Sequence, residues 1–358
     1  MAQKAHNDKL TQAALKRIGE YETFLEACGI TPMAGSEVEF HFTPQMSPNF
    51  KKLWAIKEFE NSAFVERLEA DTTVPKLGEI IIGKGPNSHS AERPRERYPS
   101  TIARVTRSAK KIIEDGGSKY GMDITFGEKE NGKRIRSLQS NISLWRSDDK
   151  TPLFLNVGDA EGTRQVPNEL TVECSKALIE AQRALAAVVC PSEASFKRYG
   201  TKDASYGIAV HDKRSDITAL LRRNERSKDK PLSYYFEDRL ASSDADPALA
   251  MLMTLGGIVT GVKQYMINNL LVDKDGKPAP EKMKAHIHAA DFSKESWNSD
   301  KLTTATDMGT FATPPLDHEE ALKQITKSYL AKEILGKEFY TDFCAHYEQV
   351  TRQAAQSR

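Results

Sequence analysis

The segment Tyr235-Phe236-Glu237-Asp238-Arg239, followed by Asp244-Ala245-Asp246-Pro247 and an apolar run from Ala248 to Ile258, combines a β-type stretch, a turn and a helix. Glu237 and Arg239 are two residues apart, so their side chains face the same way on a strand. A carboxylate and a guanidinium on one strand face suit a site that holds a metal ion together with an anionic ligand. The same pair also fits an ion pair on an exposed edge strand.

Composition narrows the class of protein. Hydrophobic residues make up 39% and charged residues 28% of the 358 residues, which is typical of globular and not of disordered chains. A net charge of +1 provides no basic field for binding nucleic acid. The four cysteines lie far apart, with no CxxC pair, which argues against a zinc site or a disulfide framework and favours the reducing cytoplasm.

Neither a leader nor a membrane span is expected. The first ten residues are polar and do not resemble a signal peptide. The longest apolar run, Ala248–Val262, contains Gly256 and Gly257 and is too short for a membrane span, so it predicts a buried helix. We therefore expect a cytoplasmic protein that binds neither membranes nor nucleic acids.

Hydrophobic spacing predicts helices and strands in mixed order. We expect helices over 8–28, 53–69, 100–115, 168–190, 247–271, 317–335 and 337–354, with the segment 100–115 ending at Asp115-Gly116-Gly117. We expect strands over 35–42, 78–83, 122–126 and 138–145, and near 217–221, with a turn at Asn131-Gly132. This order predicts an α+β protein with a sizeable antiparallel sheet.

Glutamates recur on these strands at positions that share one face. They are Glu37 and Glu39 on the first strand, Glu79 on the second and Glu237 in the opening segment. Converging carboxylates repel one another unless cations lie between them, and hard oxygen ligands favour Mg²⁺ or Mn²⁺. For any one strand, a solvated face explains the pattern equally well.

A further strand and an arginine-rich segment add neutral and cationic groups. The strand carries Gln139, Asn141 and Ser143 at alternate positions. Arginines that can bind phosphates or carboxylates follow at positions 214, 222, 223, 226 and 239 (Arg214, Arg222, Arg223, Arg226, Arg239). Together with the acidic strands, they suit a Mg-nucleotide site, although a charge run is also typical of a solvated face.

Several other motifs are absent or weak. There is no GxxxxGK[ST], GxSxG or HExxH sequence, which excludes a P-loop and hydrolases of those kinds. The pair His286 and His288 lies in a polar insert over about 273–311 without a third ligand nearby, so we interpret it as surface.

In this order, the motifs resemble the catalytic domain of the glutamine synthetase family. The resembling stretches are Glu37-x-Glu39, Thr72–Pro86, Lys110–Lys129, Gln139–Trp145, Ser195–Arg198, Tyr235–Pro247 and Pro314–Phe339. The resemblance covers about residues 35–352. It implies a curved antiparallel sheet, or half-barrel, flanked by helices. It divides the chain into a short N-terminal helical segment over 1–34 and a catalytic domain over 35–358, and it leads us to expect that most of the family's small N-terminal domain is absent.

The resemblance also implies roles for individual residues. Divalent metals would be bound by Glu37, Glu39, Glu79, Glu237 and Gln139, and ATP by Ser143, Trp145, Arg222 and Arg223. Asn141 would lie near a glutamate-like substrate, Arg214 and Arg239 would hold its carboxylate or the phosphoryl group, and Asp203 would take a proton from the amine. Small-molecule carboxylate and amine substrates and a homo-oligomer are implied as partners.

Three positions depart from the family's pattern. Thr72 stands in place of a metal-binding Glu, for which Glu69 or Asp71 could substitute. Gln139 stands in place of a metal-binding His, and Asp203 in place of the Glu in the flap over the substrate. These departures affect the binding of one metal ion and of the amine substrate more than the binding of the nucleotide.

These features predict an ATP-dependent carboxylate–amine ligase that forms a γ-glutamyl-type amide through an acyl phosphate, on an amine other than ammonia. Two alternatives stay open at this point. One is a phosphotransferase on the same scaffold, like the guanidino kinases. The other is an inactive nucleotide-binding or regulatory protein, which Thr72 and Gln139 favour.

Overall fold

A computed structural model describes residues 2–43, 65–70, 77–83, 98–119, 123–126, 137–154, 156–158, 165–191, 195–196, 208–210, 219–223, 234–289, 315 and 317–345. The helices in this part are α1 (Ala2–Ala27), α2 (Pro99–Lys119), α3 (Glu169–Val189), α4 (Pro247–Asn268), α5 (Pro280–Ala289), α6 (His318–Lys327), α7 (Tyr329–Leu335) and α8 (337–345). The strands are β1 (Ile30–Thr43), β2 (Val65–Ala70), β3 (Leu77–Ile82), β4 (Asp123–Thr125), β5 (Leu138–Arg146), β6 (Asn156–Gly158), β7 (Gln165–Pro167), β8 (Ile208–Val210), β9 (Ala219–Arg223) and β10 (Tyr234–Asp238).

Eight of these strands form one sheet in the order β2-β3-β1-β5-β10-β9-β8, with β4 paired to the end of β1. All pairs are antiparallel except β8 with β9, and β6 and β7 form a separate ribbon. The α+β class and the antiparallel sheet predicted from the sequence are confirmed.

Strand β1 shows why the sheet has two different faces. Val38, Phe40 and Phe42 are buried, whereas Glu37, Glu39 and His41, which alternate with them, are partly exposed. This alternation packs one face on the helices and leaves the other face available for polar chemistry. The strand begins at Ile30, five residues before the predicted start, so the boundary drawn between residues 34 and 35 falls inside it.

Helices α3 and α4 pack closely on one another behind the sheet. A Cβ atom at Gly261 would lie 2.3 Å from the Cα atom of Cys174, so only glycine allows this approach. Every residue of the apolar run Ala248–Val262 in α4 except Thr260 is buried, as predicted. No helix in the described part of the chain is both long and apolar enough to cross a lipid bilayer. All four cysteines lie in that part, and none of them forms a disulfide there.

Helix α1 belongs to the same core. Ile18 and Leu25 are fully buried, and α1 packs on α4 and α2. The hydroxyl of Thr11 donates to Asp246 Oδ2 at 2.7 Å, and Asp246 also caps the N-terminus of α4 by accepting from the amide of Ala248. These bonds join the first helix to the segment Tyr235–Pro247.

Four predicted elements differ in the structure. Residues 65–70 form strand β2 and not the end of a helix, because pairing with β3 outweighs their helical propensity. Helix α2 continues through Gly116 and Gly117 to Lys119, since both glycines are buried in packing contacts. The segment 317–335 is two helices, because Ser328 caps α7 by accepting from the amide of Ala331.

The insert over 273–311 is the fourth difference. It contains helix α5, although the polar sequence showed little periodicity.

Strand β8 and the β6–β7 ribbon were not predicted, because three-residue strands leave no periodic signal. The turn predicted at Asn131-Gly132 lies outside the described residues, as do residues 53–64 and 346–354 of the predicted helices.

Behind the sheet, Asp238 ties strand β10 to both α3 and α4. Its carboxylate is 2% exposed and accepts from Gln182 Nε2 at 2.8 Å, from the Leu240 amide at 3.0 Å and from Thr254 Oγ1 at 2.9 Å. Buried carboxylates are stable only when such donors compensate for lost hydration. Because Asp238 lies between Glu237 and Arg239, this network fixes the backbone that carries them.

We expect Asp238→Ala to lower the free energy of unfolding by about 3 kcal/mol, since it removes the acceptor of three buried donors. Urea unfolding followed by circular dichroism measures the change. Thr254→Val should lower it by about 1.5 kcal/mol. Thr260→Val is the matched control, because Thr260 makes the same bond to the carbonyl four residues earlier and none to Asp238. Equal effects of the two threonine variants would contradict the role given to Asp238.

Candidate active site

The face of the sheet that carries Glu37 and Glu39 brings several of the predicted site residues together; we call it the acidic face. Residues directly opposite on antiparallel strands point to the same side. Glu37 is opposite Gln139, and Asn141 is opposite both Gly35 and Glu237. Three strand segments far apart in sequence thus place their polar residues on one surface, as the alternation predicted.

At the centre of this face lie Glu37, Gln139, Asn141 and Glu237, which we call the central cluster. Gln139 is 4% exposed and Glu237 is 1% exposed. The Gln139 amide nitrogen donates to Glu37 Oε2 and Glu237 Oε1 at 3.0 Å each, in the orientation that satisfies both ends of the amide. Asn141 Nδ2 donates to Glu37 Oε1 at 3.2 Å. Two carboxylates are therefore held together by neutral amide groups.

Three glutamates occupy register positions in one cross-strand row beside this cluster, at residues 39, 79 and 69; we call these positions the outer row. Glu39 is directly opposite Glu79, and Glu79 is directly opposite Glu69 of β2. Glu39 also accepts from the amide of Ser137 at 2.9 Å. Like charges in such a row are destabilising unless something compensates for them. The register places Glu69 in line with Glu79, while Asp71 and Thr72 lie outside the described residues.

Arg239 lies beside the central cluster. Its Nε atom is 3.7 Å from Glu237 Oε1, and its side chain is 18% exposed. The two side chains share one side of the chain, as their spacing predicted. The pair is largely buried and is not the exposed surface ion pair that the sequence also allowed.

Other predicted ligand-binding residues flank the cluster. Trp145 Nε1 donates to Ser143 Oγ at 2.8 Å, and both side chains are buried, so they stiffen β5 next to Asn141. In strand β9, Arg222 is opposite Tyr235 and Arg223 is opposite Tyr234. Consecutive strand positions alternate between faces, so only the register of Arg222 matches that of Glu237.

Asp203, Arg214 and Arg226 lie outside the described residues, as does the flap segment 197–207. Their predicted roles stay predictions. The interpretation of the histidine pair holds for His288, which is exposed and bonds Asp148 at 2.9 Å. His286 is half-buried and bonds the hydroxyl of Tyr265 at 2.9 Å, and burial lowers its pKa.

Lys110 supports the turn that follows Arg239 and was missed as a positioning residue. Its Nζ donates to the carbonyls of Ser243 and Ala245 at 2.6 and 2.9 Å and lies 4.9 Å from the centre of the Phe126 ring. Burial lowers the pKa of Lys110 to about 8. The sequence reveals neither Lys110 nor Gln182, which bonds Asp238, because a single polar residue on a helix gives no signal of its distant partner.

The central cluster fits a divalent cation in its donor chemistry. Carboxylate and amide oxygens are ligands that Mg²⁺ and Mn²⁺ accept. Neighbouring ligands in an octahedral site with bonds of 2.0–2.1 Å lie about 3 Å apart. The end of Gln139 lies 3.0 Å from one oxygen of Glu37 and one of Glu237. Within the described ranges, no three His, Cys, Asp or Glu side chains form a metal-binding group, and the third member of this cluster is an amide.

Comparison with known proteins relates this arrangement to a family. The family model described as glutamine synthetase, catalytic domain, matches residues 101–357. That range includes Gln139, Glu237 and Arg239, whereas Glu37 and Glu39 precede it. By sequence, no curated protein matches the chain.

Solved structures agree in fold. A cryo-EM structure of Plasmodium falciparum glutamine synthetase superposes with a TM-score of 0.64 at 14% identity, over 96% of this chain and 77% of that one. Ligand-free GmaS superposes with a TM-score of 0.63 at 15% identity, over 96% and 73%. A structure described as a novel glutamine synthase homolog gives 0.60 at 15% identity, over 96% and 71%.

The family match covers most of the chain, and the sheet, the helices behind it and the order of the motifs agree with it. The resemblance seen in the sequence is confirmed: the chain belongs to the glutamine synthetase family and carries its catalytic domain.

Proposed function

We propose that the protein is an ATP-dependent carboxylate–amine ligase that forms a γ-glutamyl-type amide through an acyl phosphate. The observation that carries this proposal is the central cluster. Glu37 and Glu237 converge there on Gln139, and Arg239 Nε lies 3.7 Å from Glu237 Oε1. It combines oxygen ligands for a cation with a guanidinium for an anion, and both are needed where a carboxylate meets a triphosphate. GmaS, which shares the fold, has a structure in complex with ADP, which supports a nucleotide as one substrate.

Two positions would hold divalent cations, Mg²⁺ or Mn²⁺. Glu37, Gln139 and Glu237 would hold one at the central cluster, and Glu39, Glu79 and Glu69 another at the outer row. When bound, such a cation neutralises charge on the phosphates. Assigning Glu69 to the outer row supplies the carboxylate that Thr72 lacks.

The remaining residues bind and orient the substrates. Arg239 and Arg214 hold the carboxylate of the acid, and Arg222, whose register matches that of Glu237, contacts the ATP phosphates in preference to Arg223. Ser143 and Trp145, which bond each other on β5, contact the nucleotide. Asn141 lies near the carboxylate substrate. An oxygen of the substrate carboxylate attacks the γ-phosphorus of ATP and ADP leaves.

The amine then attacks the acyl carbon, and phosphate leaves with the oxygen that came from the acid. Asp203 accepts the proton that the amine loses. We propose an amine larger than ammonia, because Asp203 is one methylene shorter than the glutamate of the family's flap and leaves more room. Assembly as a homo-oligomer and a cytoplasmic location stay predictions.

Turnover of Mg-ATP and glutamate, with and without a pool of primary amines, tests the proposal. We expect ADP and phosphate only when an amine is present, with an amide adduct detected by mass spectrometry. ADP together with a stable phosphorylated product would indicate a phosphotransferase. Nucleotide binding without any turnover would indicate an inactive regulatory protein.

Glu69→Gln tests the assignment of the outer row. We expect this change to weaken Mn²⁺ binding about tenfold, because it removes one carboxylate from the row that Glu39 and Glu79 continue. The electron paramagnetic resonance signal of free Mn²⁺ measures the affinity. Glu180→Gln, on the exposed side of α3, is the control. Unchanged Mn²⁺ affinity in Glu69→Gln would contradict the assignment.

A further inference from the structure

The Gln139 amide lies where the family's pattern has a metal-binding imidazole, and in this chain it already has two partners. It is 4% exposed and lies 3.0 Å from one oxygen of Glu37 and one of Glu237. With nitrogen at that position, both contacts are hydrogen bonds to carboxylates, which are stronger than bonds between neutral groups. With oxygen there, three oxygens face one another, and this is unfavourable without a cation among them.

Asn141 adds a second amide to the same carboxylate pair. Its Nδ2 donates to the other oxygen of Glu37 at 3.2 Å, so both oxygens of Glu37 accept from amides. The buried carboxylate of Glu237 is in turn 3.7 Å from the Arg239 guanidinium. Neutral donors and one guanidinium thus supply much of the compensation that a cation would otherwise supply.

We propose that Gln139 is an internal substitute for a cation. Its amide holds Glu37 and Glu237 together in the metal-free protein, and a cation enters the central cluster only after the amide turns its oxygen inward. The central position is therefore assembled without metal and binds free cations weakly. The inference depends on the proposed function only in assigning this cluster to divalent-cation chemistry.

The imidazole that the family has at the position of Gln139 is less able to substitute for a cation. A neutral imidazole has one N–H, so it can donate to one of the two carboxylates but not to both. When its unprotonated nitrogen faces the carboxylates, that nitrogen can bind a metal ion directly, whereas the amide must first rotate to present its oxygen. Gln139→His should therefore exchange metal-independent assembly for tighter metal binding.

Metal titrations without nucleotide test the inference. We expect the wild-type protein to bind one Mn²⁺ tightly and Gln139→His to bind two, with affinity at the added position about tenfold or more above that of the wild type. Adding Glu237→Gln to Gln139→His should remove the extra ion. Gln264→His, an exposed glutamine on α4 bonded to Asn268, is the matched control for a new histidine and should leave the count at one.

Thermal unfolding provides a second measurement that requires no turnover. We expect EDTA to leave the unfolding temperature of the wild type nearly unchanged and to lower that of Gln139→Glu, which places three carboxylates together. Mn²⁺ should restore Gln139→Glu. This variant also keeps the test decisive if Gln139→His does not fold.

Two tight Mn²⁺ ions in the wild type would overturn the inference, as would equal sensitivity of the wild type and Gln139→Glu to EDTA. Because neither measurement involves ATP, a protein that passes both and never forms ADP would refute the proposed ligase activity and leave the role of Gln139 intact.

Discussion

Glu237→Gln should lower ATP turnover by about a thousandfold or more. Glu237 is 1% exposed and lies 3.0 Å from the amide end of Gln139 and 3.7 Å from Arg239, so it connects the cation position to the anion-binding guanidinium. Glutamine keeps the size of the side chain and removes its charge, which leaves the cation with one carboxylate fewer and the guanidinium without its counter-ion. ADP release in a coupled assay, at saturating ATP and amine, measures the loss.

Two comparisons separate this effect from misfolding. Glu180→Gln, which changes an exposed helical glutamate, should retain wild-type turnover. The unfolding temperature of Glu237→Gln should stay within a few degrees of the wild type, because Gln139 can reorient toward the new amide. Wild-type turnover in Glu237→Gln would show that the central cluster is not the reaction site.

Arg239→Ala should lower kcat/KM for the acid about a hundredfold. The side chain is 18% exposed, and its Nε atom lies 3.7 Å from Glu237 Oε1. Removing it takes away the fork that binds a carboxylate and leaves the buried charge of Glu237 less well compensated. Initial rates over a range of acid concentrations, at fixed ATP and amine, separate KM from kcat.

Arg239→Lys keeps the positive charge without the planar fork, so it should recover part of the loss in kcat and little of the loss in KM. The control is Arg183→Ala, which removes a surface arginine paired with Glu180 at 3.5 Å. If Arg239→Ala raised KM for ATP and left KM for the acid unchanged, Arg239 would be a nucleotide ligand and its assignment to the acid would be wrong.

The sequence predicted the acidic face well because period-2 alternation directly reports which side chains share a face. Glu37 and Glu39 fell on a strand of clear alternation, Glu79 on a short strand with three consecutive isoleucines, and Glu237 with Arg239 needed only a spacing of two. Pairing between strands required the structure. Nothing local to residues 65–70 shows that Glu69 lies opposite Glu79, since the helical propensity of that segment conceals the strand.

Buried polar partners could not be predicted for a different reason. Gln182 and Thr254 are 56 and 16 residues from Asp238 in sequence, and neither stands in a recognisable motif. The bridging role of Gln139 was also out of reach, because the sequence marks it only as a weaker ligand than histidine. Distances to two carboxylates at once are needed to see that it serves as a donor.

Oxygen transfer from acid to phosphate tests the central claim most directly. Glutamate labelled with ¹⁸O in its carboxylates is incubated with ATP, Mg²⁺ and the amine pool, and the released phosphate is analysed by mass spectrometry. An acyl phosphate intermediate predicts one ¹⁸O atom in each phosphate, because the attacking carboxylate oxygen leaves with the phosphoryl group. Phosphate that is released without ¹⁸O while ADP forms would contradict the ligase mechanism and indicate attack on ATP by water or by another group.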